Sequence, residues 1–261
     1  MAKVCSLFSG SKGNCIYIEN KDTAVLVDAG VSAKRITEAL NDRQLDISKI
    51  KAVFITHEHS DHVSGVRVFS TKNNIPVYST LGTYNGMKDN KYINEKVDCR
   101  ILENETDVKD IGVTYFNTMH DANESCGYVF DLGTKRVAVC TDLGIVTDEV
   151  HNAIDKCDTI FLESNHDIKM LQNNVTYPFP LKRRIMSENG HLSNAACAEE
   201  IEKLIKSGAT RFILSHLSEH NNLPMLAKET TRSLLTMDAF EEQKDYLLSV
   251  SVSQGNNIII I

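Results

Sequence analysis

Ala52-Val-Phe-Ile-Thr-His57-Glu-His59-Ser-Asp61-His62 runs from an apolar stretch straight into a cluster of ionisable side chains. Residues 52–55 form a continuous apolar run of strand length, the mark of a strand covered on both faces, as in a parallel sheet under helices. Crowding His57, His59, Asp61 and His62 just beyond such a strand is costly unless something neutralises them, and a metal ion does so. His57 and His59 are two apart, so in an extended chain they point to the same side. Asp61 and His62 follow where the chain turns into a helix expected over 63–72.

Upstream, apolar runs separated by turn residues predict strands over 4–8, 15–19 and 24–27, with Ser9-Gly-Ser-Lys-Gly-Asn14 as a turn cluster. A helix follows, with Ser32 at its N-cap and Ile36, Ala39 and Leu40 facing inward. Downstream, strands are expected over 76–78, 111–118, 126–132, 136–140, 159–162 and 211–214. Helices are expected over 81–88, 148–154, 195–206 and 223–235, and Gly208 is a C-terminal stop for the third of these. Residues 247–252 and 258–261 read as a final hairpin. Strands come early, in the middle and late, with helices between them and no linker or repeat. That pattern predicts one domain over 1–261, made of two sheets with outer helices.

The 261 residues are 42% hydrophobic and 24% charged, as in ordinary globular chains. The net charge of −7 argues against a protein coated in positive charge for nucleic acid, while leaving room for a local basic groove. Seven cysteines, odd in number and without a CxxC pair, read as reduced thiols in a cytoplasm. No stretch approaches the roughly 20 apolar residues of a membrane span, and the N-terminus has no apolar run of signal-peptide type. No obligate protein partner is expected.

Three further residues sit where expected strands end: His120 after 111–118, Asp142 after 136–140 and His216 after 211–214. Residues at the same ends of neighbouring strands converge, and ligand sites form there. Five imidazoles and two carboxylates suit two borderline divalent ions such as Zn²⁺, Mn²⁺ or Fe²⁺, and lack the all-oxygen character that Ca²⁺ or Mg²⁺ prefer. In one division His57, His59 and His120 hold the first ion and Asp61, His62 and His216 the second, with Asp142 bridging.

The pattern His57-x-His59-x-Asp61-His62, with Asp28 upstream and His120, Asp142 and His216 downstream, resembles the metallo-β-lactamase superfamily. The resemblance implies an α+β fold, a four-layer αββα sandwich with a di-metal site at one edge. It assigns Asp28 the role of orienting the ligands, and the cysteine ligand of zinc β-lactamases of the commonest class makes Cys140, two residues before Asp142, an alternative thiolate ligand beside the better-placed Asp142. Gly190-His-Leu-Ser193, an Ala-rich helix and a strand ending in histidine are similar to ribonuclease Z and related phosphodiesterases. Carried over, His191 becomes a proton donor or phosphate ligand. The combination of Ser9–Asn14, the HEHSDH cluster, Glu163-Ser-Asn-His166, Gly190-His-Leu-Ser-Asn194 and His216-Leu-Ser-Glu-His-Asn-Asn222 resembles the WalJ/YycJ-type metallohydrolases. That implies a DNA exonuclease or related phosphodiesterase. The long tRNA-binding arm of ribonuclease Z has no counterpart here, and 261 residues leave no room for the insertion of the mRNA-processing relatives.

On this reading Asp61 and His191 are the catalytic candidates, acting beside two ions about 3.5–4 Å apart that lower the pKa of a shared water. Ser11 and Asn14, in a loop able to offer backbone N–H groups to phosphate, are substrate-side candidates, as are His166 and His220. Lys182, Arg183 and Arg184 form either one wall of a DNA groove or a solvated helix face. His151 has no assigned role. Two other readings stand beside the exonuclease. One is a hydrolase of small thioesters, lactones or cyclic phosphodiesters, which the negative net charge favours. The other is a metal-binding regulator without activity.

Overall fold

The computed structural model describes residues 1–261. Three short strands open the chain: β1 (Lys3–Phe8), β2 (Cys15–Asn20) and β3 (Thr23–Val27). Next come α1 (Ala33–Asp42), β4 (Ile50–Phe54), α2 (Ser60–Val63), α3 (Val66–Asn73), β5 (Val77–Ser79), α4 (Leu81–Asp89) and β6 (Cys99–Ile101). The second half holds β7 (Glu105–Val108), β8 (Ile111–Asn117), β9 (Cys126–Asp131), β10 (Arg136–Cys140), α5 (Asp148–Ile154) and β11 (Thr159–Glu163). It continues through α6 (Ile168–Asn173), α7 (Phe179–Ile185), α8 (Asn194–Lys206), β12 (Arg211–Ser215), α9 (Pro224–Met237), β13 (Leu247–Val250) and β14 (Ile259–Ile260).

The strands form two seven-stranded sheets, ordered β14-β1-β2-β3-β4-β5-β6 and β13-β12-β11-β10-β9-β8-β7. In each sheet one half is antiparallel and the other parallel, the change coming at β3 in the first and β10 in the second. The period of two along a strand decides the layers. Ala24, Leu26 and Val53 face the helices of the first sheet, while Val25, Val27, Ala52 and Phe54 face the second sheet. On the second sheet Val137, Val139, Phe161 and Ile213 point back toward the first, and Ala138, Leu162, Phe212 and Leu214 face α5, α8 and α9. One apolar layer between the sheets and one under the helices on each outer face make the expected αββα sandwich. β4, paired in parallel on both sides, is the doubly covered strand that its apolar run implied. No helix is long and apolar enough to cross a membrane.

Several expectations need correction. The helix expected over 63–72 is broken between α2 and α3. There Gly65 donates to the Ala29 carbonyl at 2.8 Å, and a Cβ on it would lie 2.0 Å from the Val31 carbonyl oxygen, so the chain is pinned and restarts. The C-terminal hairpin does not form. β13 extends the second sheet in parallel beside β12, and β14 crosses to pair with β1 in the first, so each covers a different sheet edge. β6, β7, α6 and α7 were not anticipated. β6 and β7 are short edge strands with several exposed residues, and α7 buries no residue, so none carries a periodic apolar signal.

Candidate metal centre

The site forms along one edge of the sandwich, where strands of both sheets end. β3 leads to Asp28 and β4 to His57–His62, while β8, β10, β11 and β12 lead to His120, Asp142, Glu163 and His216. Asp28, Asp142 and His216 adopt left-handed φ values of 62°, 58° and 55°. That conformation costs about 1 kcal/mol for a residue with a Cβ. It turns the chain sharply just beyond the strand. Cys140 lies in the core beneath the outer helices of the second sheet, so the thiolate alternative is not realised.

The HEHSDH loop is strapped down by backbone contacts. Asn14 N–H donates to the Asp61 carbonyl, Ala29 N–H to the His62 carbonyl and Gly30 N–H to the Asn14 carbonyl, each at 2.8 Å. Gly30 passes so close that a Cβ there would lie 1.6 Å from the Asp61 carbonyl oxygen. Asn14 itself is buried. Its Oδ1 accepts from Gly10 N–H at 2.9 Å, and its Nδ2 lies 3.0 Å from His62 Nε2, so it braces the loop and does not face a substrate.

The structure brings the expected ligand atoms together. One atom from each of His57, His59 and His120 lies within 4.8 Å of the others, and the same holds for Asp61, His62 and His216. His57 Nε2 and His59 Nδ1 are 3.0 Å apart. Asp142 lies between the groups, with Oδ2 3.3 Å from His62 Nε2 and Oδ1 3.9 Å from His120 Nε2.

Partners behind the rings settle which nitrogen faces inward. His62 Nδ1 donates to Asp28 Oδ2 at 2.7 Å, and Asp28 also accepts from Thr56 N–H and Thr56 Oγ1. His120 Nδ1 donates to the Gly190 carbonyl at 3.0 Å. His216 Nδ1 donates to Glu163 Oε1 at 2.7 Å and His191 Nδ1 to the same oxygen at 2.9 Å. Glu163 Oε2 accepts from the Leu143 and Leu192 N–H groups, so all four donors point at one fully buried carboxylate. The closeness of Glu163, His191 and His216 is therefore explained by these hydrogen bonds, without an ion of its own. The Glu163-Ser-Asn-His166 motif places Glu163 near the site without giving it a role, and the structure supplies that role; Thr56 was not among the expected site residues.

Electrostatics divides the cluster. Burial and the neighbouring rings of His62, His120 and His59 hold His57 well below the ordinary imidazole value. Burial also lowers His120. It opposes the charged form of His62 too, yet Asp28, Asp142 and Asp61 together hold that ring well above the ordinary value. His216 is likewise pushed up to about 10 against its burial, chiefly by Asp142, Asp61 and Glu163. Asp142 Oδ2 and His216 Nε2 are buried without any hydrogen-bond partner. Two orphaned buried polar atoms among imidazoles and carboxylates are the surroundings that a divalent cation, which would displace any proton on the ring nitrogen, fits.

A profile described as Beta-lactamase superfamily domain matches residues 23–217. The chain belongs to that family. Exodeoxyribonuclease YycJ of Bacillus anthracis is 35% identical over 237 residues, covering 90% of this chain and 89% of that protein. Exodeoxyribonuclease WalJ of Streptococcus pneumoniae serotype 2 is 36% identical over 233 residues, covering 87% and 86%. Zn²⁺-bound PqqB from Methylobacterium extorquens superposes with a TM-score of 0.74 at 15% identity over 100% of both chains, a likeness of fold alone. The chain is thus an enzyme of a metallo-hydrolase superfamily, with His/Asp clusters suited to divalent metal.

The substrate-side candidates scatter more widely. Ser11, Asn165, Tyr177, Leu181, Arg184 and His191 are among the residues lining a cavity beside the centre. Arg184 reaches it through an ion pair with Asp121. Lys182 is tied to the Gln172 carbonyl at 2.7 Å, and Arg183 is exposed on the outer side of α7. His166 is buried with Nδ1 unpartnered, its pKa lowered to about 4 by burial, and it is not among the residues lining this cavity. His220 is exposed, 6.1 Å from the Tyr177 ring and outside the cavity wall. His151 pairs with Glu200 between α5 and α8.

Proposed function

We propose that this enzyme is a di-metal phosphodiesterase, an exodeoxyribonuclease acting on DNA ends, working as a single-domain cytoplasmic protein without an obligate partner. The two exodeoxyribonuclease relatives, similar along nearly the whole chain, support the substrate class. The observation that carries the chemistry is His191. It lies outside the ligand set, is fixed through Nδ1 by Glu163, and stands with its ring centroid 5.1 Å from His120 and 5.3 Å from His216.

His57, His59 and His120 would hold one ion, Asp61, His62 and His216 the other, and Asp142 both; Zn²⁺, Mn²⁺ and Fe²⁺ all suit this donor set. When bound, such ions supply an activated water and offset charge on the nonbridging phosphate oxygens. Asp61 anchors its group and stays ionised, since His62 and His216 hold its carboxyl below the usual range against the effect of burial. Asp28 and Glu163 keep the histidine rings aimed. His191, with Nδ1 committed to Glu163, has Nε2 available to give a proton to the leaving oxygen or to bind the phosphate. Glu163 raises its proton affinity against burial, which favours that donor role.

The test incubates protein loaded with Mn²⁺ or Zn²⁺ with end-labelled duplex and single-stranded DNA, beside thioester and lactone panels. Stepwise shortening of DNA that stops on chelation and returns with metal is expected. Turnover of the small esters with DNA left intact would replace this reading with the small-substrate one.

A further inference from the structure

One aromatic ring on α7, a helix that borders the cavity beside the centre, stands in water. Of nine phenylalanines, Phe179 alone is strongly exposed, at 70%, while the others are buried or half-buried in the apolar layers. It is the first residue of α7, a helix with no buried residue. Apolar surface without a packing role calls for an explanation when the helix that carries it borders a reaction centre.

α7 is firmly tied to that centre. His191 N–H donates to the Ile185 carbonyl at 2.9 Å, and Gly190 passes so close to the Arg184 and Ile185 carbonyls that a Cβ there would clash with both. Leu181 and Ile185 line the cavity that contains His191. Arg184 borders this cavity and also a shallow outer depression, whose remaining lining is Phe179, Pro180, Arg183 and Ser187. Arg184 is thus shared by the depression that holds the Phe179 ring and Arg183 and by the cavity that holds His191. Such a ring takes the face of any base, and guanidinium groups take phosphates. The faces of bases inside a duplex are already stacked, so only a terminal or unpaired nucleotide can present one.

We propose that α7 is a strand-end platform. Phe179 stacks on a terminal or unpaired base of the DNA while the exposed Arg183, and Arg184 beside its partner Asp121, contact the adjoining phosphates. This rests on the phosphodiesterase reading above and adds to it how an end is selected.

The chain contains no tryptophan, so Phe179→Trp creates a single indole reporter at the platform. Metal-loaded variant is titrated with labelled DNA carrying phosphorothioate linkages at its ends, as a duplex with a single-stranded overhang and as a blunt duplex. Anisotropy of the label reports binding independently of the indole. Quenching that saturates with binding, and is stronger for the overhang, is expected. Phe179→Ala should weaken overhang binding about tenfold, the usual scale for losing one base–aromatic stack. Saturated binding with unchanged indole emission, or an alanine variant that binds the overhang as the parent does, overturns the platform and leaves the phosphodiesterase reading standing. DNA that binds neither form overturns both.

Discussion

Glu163 accepts a 2.7 Å hydrogen bond from His216 Nδ1, through the same oxygen that holds His191. Asp28 does the equivalent for His62 on the opposite sheet. Two buried carboxylates, one from each sheet, therefore aim rings that face each other across the crevice, with His62 and His216 centroids 5.8 Å apart.

Replacing either carboxylate by its amide keeps the shape and removes the charge, and the amide NH₂ group would oppose N–H donors. Glu163→Gln and Asp28→Asn should each lower metal affinity about 10- to 100-fold. Competition against a chromophoric chelator measures this. Unchanged affinity in both variants would show that the rings are held by packing alone.

Asp142 and His191 should separate by metal content. Asp142→Ala removes the carboxylate lying between the two groups, and its product should lose both activity and bound metal. His191→Ala should keep its metal and lose turnover by about 10²–10⁴-fold, the range for a proton donor. Elemental analysis alongside steady-state kinetics distinguishes them, and equal metal loss from both would refute the division of roles.

Gly30 tests the strap beneath the HEHSDH loop. With a Cβ placed 1.6 Å from the Asp61 carbonyl oxygen, Gly30→Ala must displace the loop or the residue 14 turn. A lowered melting temperature together with substoichiometric metal is expected. An alanine variant with parental metal content and melting temperature would mean that the strap moves freely.

Phe54 stacks on Tyr78 at 5.1 Å and meets Tyr128 and Phe130 edge-on in the layer between the sheets. Phe54→Ala should cost about 3–5 kcal/mol, as large-to-small changes in a closed core do. Denaturant unfolding measures the loss, and metal stoichiometry in the folded fraction should stay at the parental value.

Much of the site was legible because strand ends converge whatever the rest of the fold does. The position of His120, Asp142 and His216 just past their strands sufficed to join them with His57–His62. What escaped were contacts made across the fold. Glu163 serves His216 and His191 from 53 and 28 residues away, a relation no local pattern records. Asn14 and His166, in motifs that suggested substrate contact, are both buried, Asn14 because its side chain accepts from the Gly10 backbone N–H. The short edge strands β6 and β7 and the exposed helix α7 carry too little apolar periodicity to be read locally.

Apolar periodicity determined two sheets with outer helices, and the HEHSDH cluster a need for a neutralising cation, since both follow from local chemistry along the chain; the layered sandwich with its site at one edge was what the family resemblance implied. The tertiary structure alone decided which carboxylate aims which ring, which basic side chains border the cavity, and that the last two strands belong to different sheets. Those outcomes depend on distances between segments remote in sequence, and only closure of the two sheets fixes them.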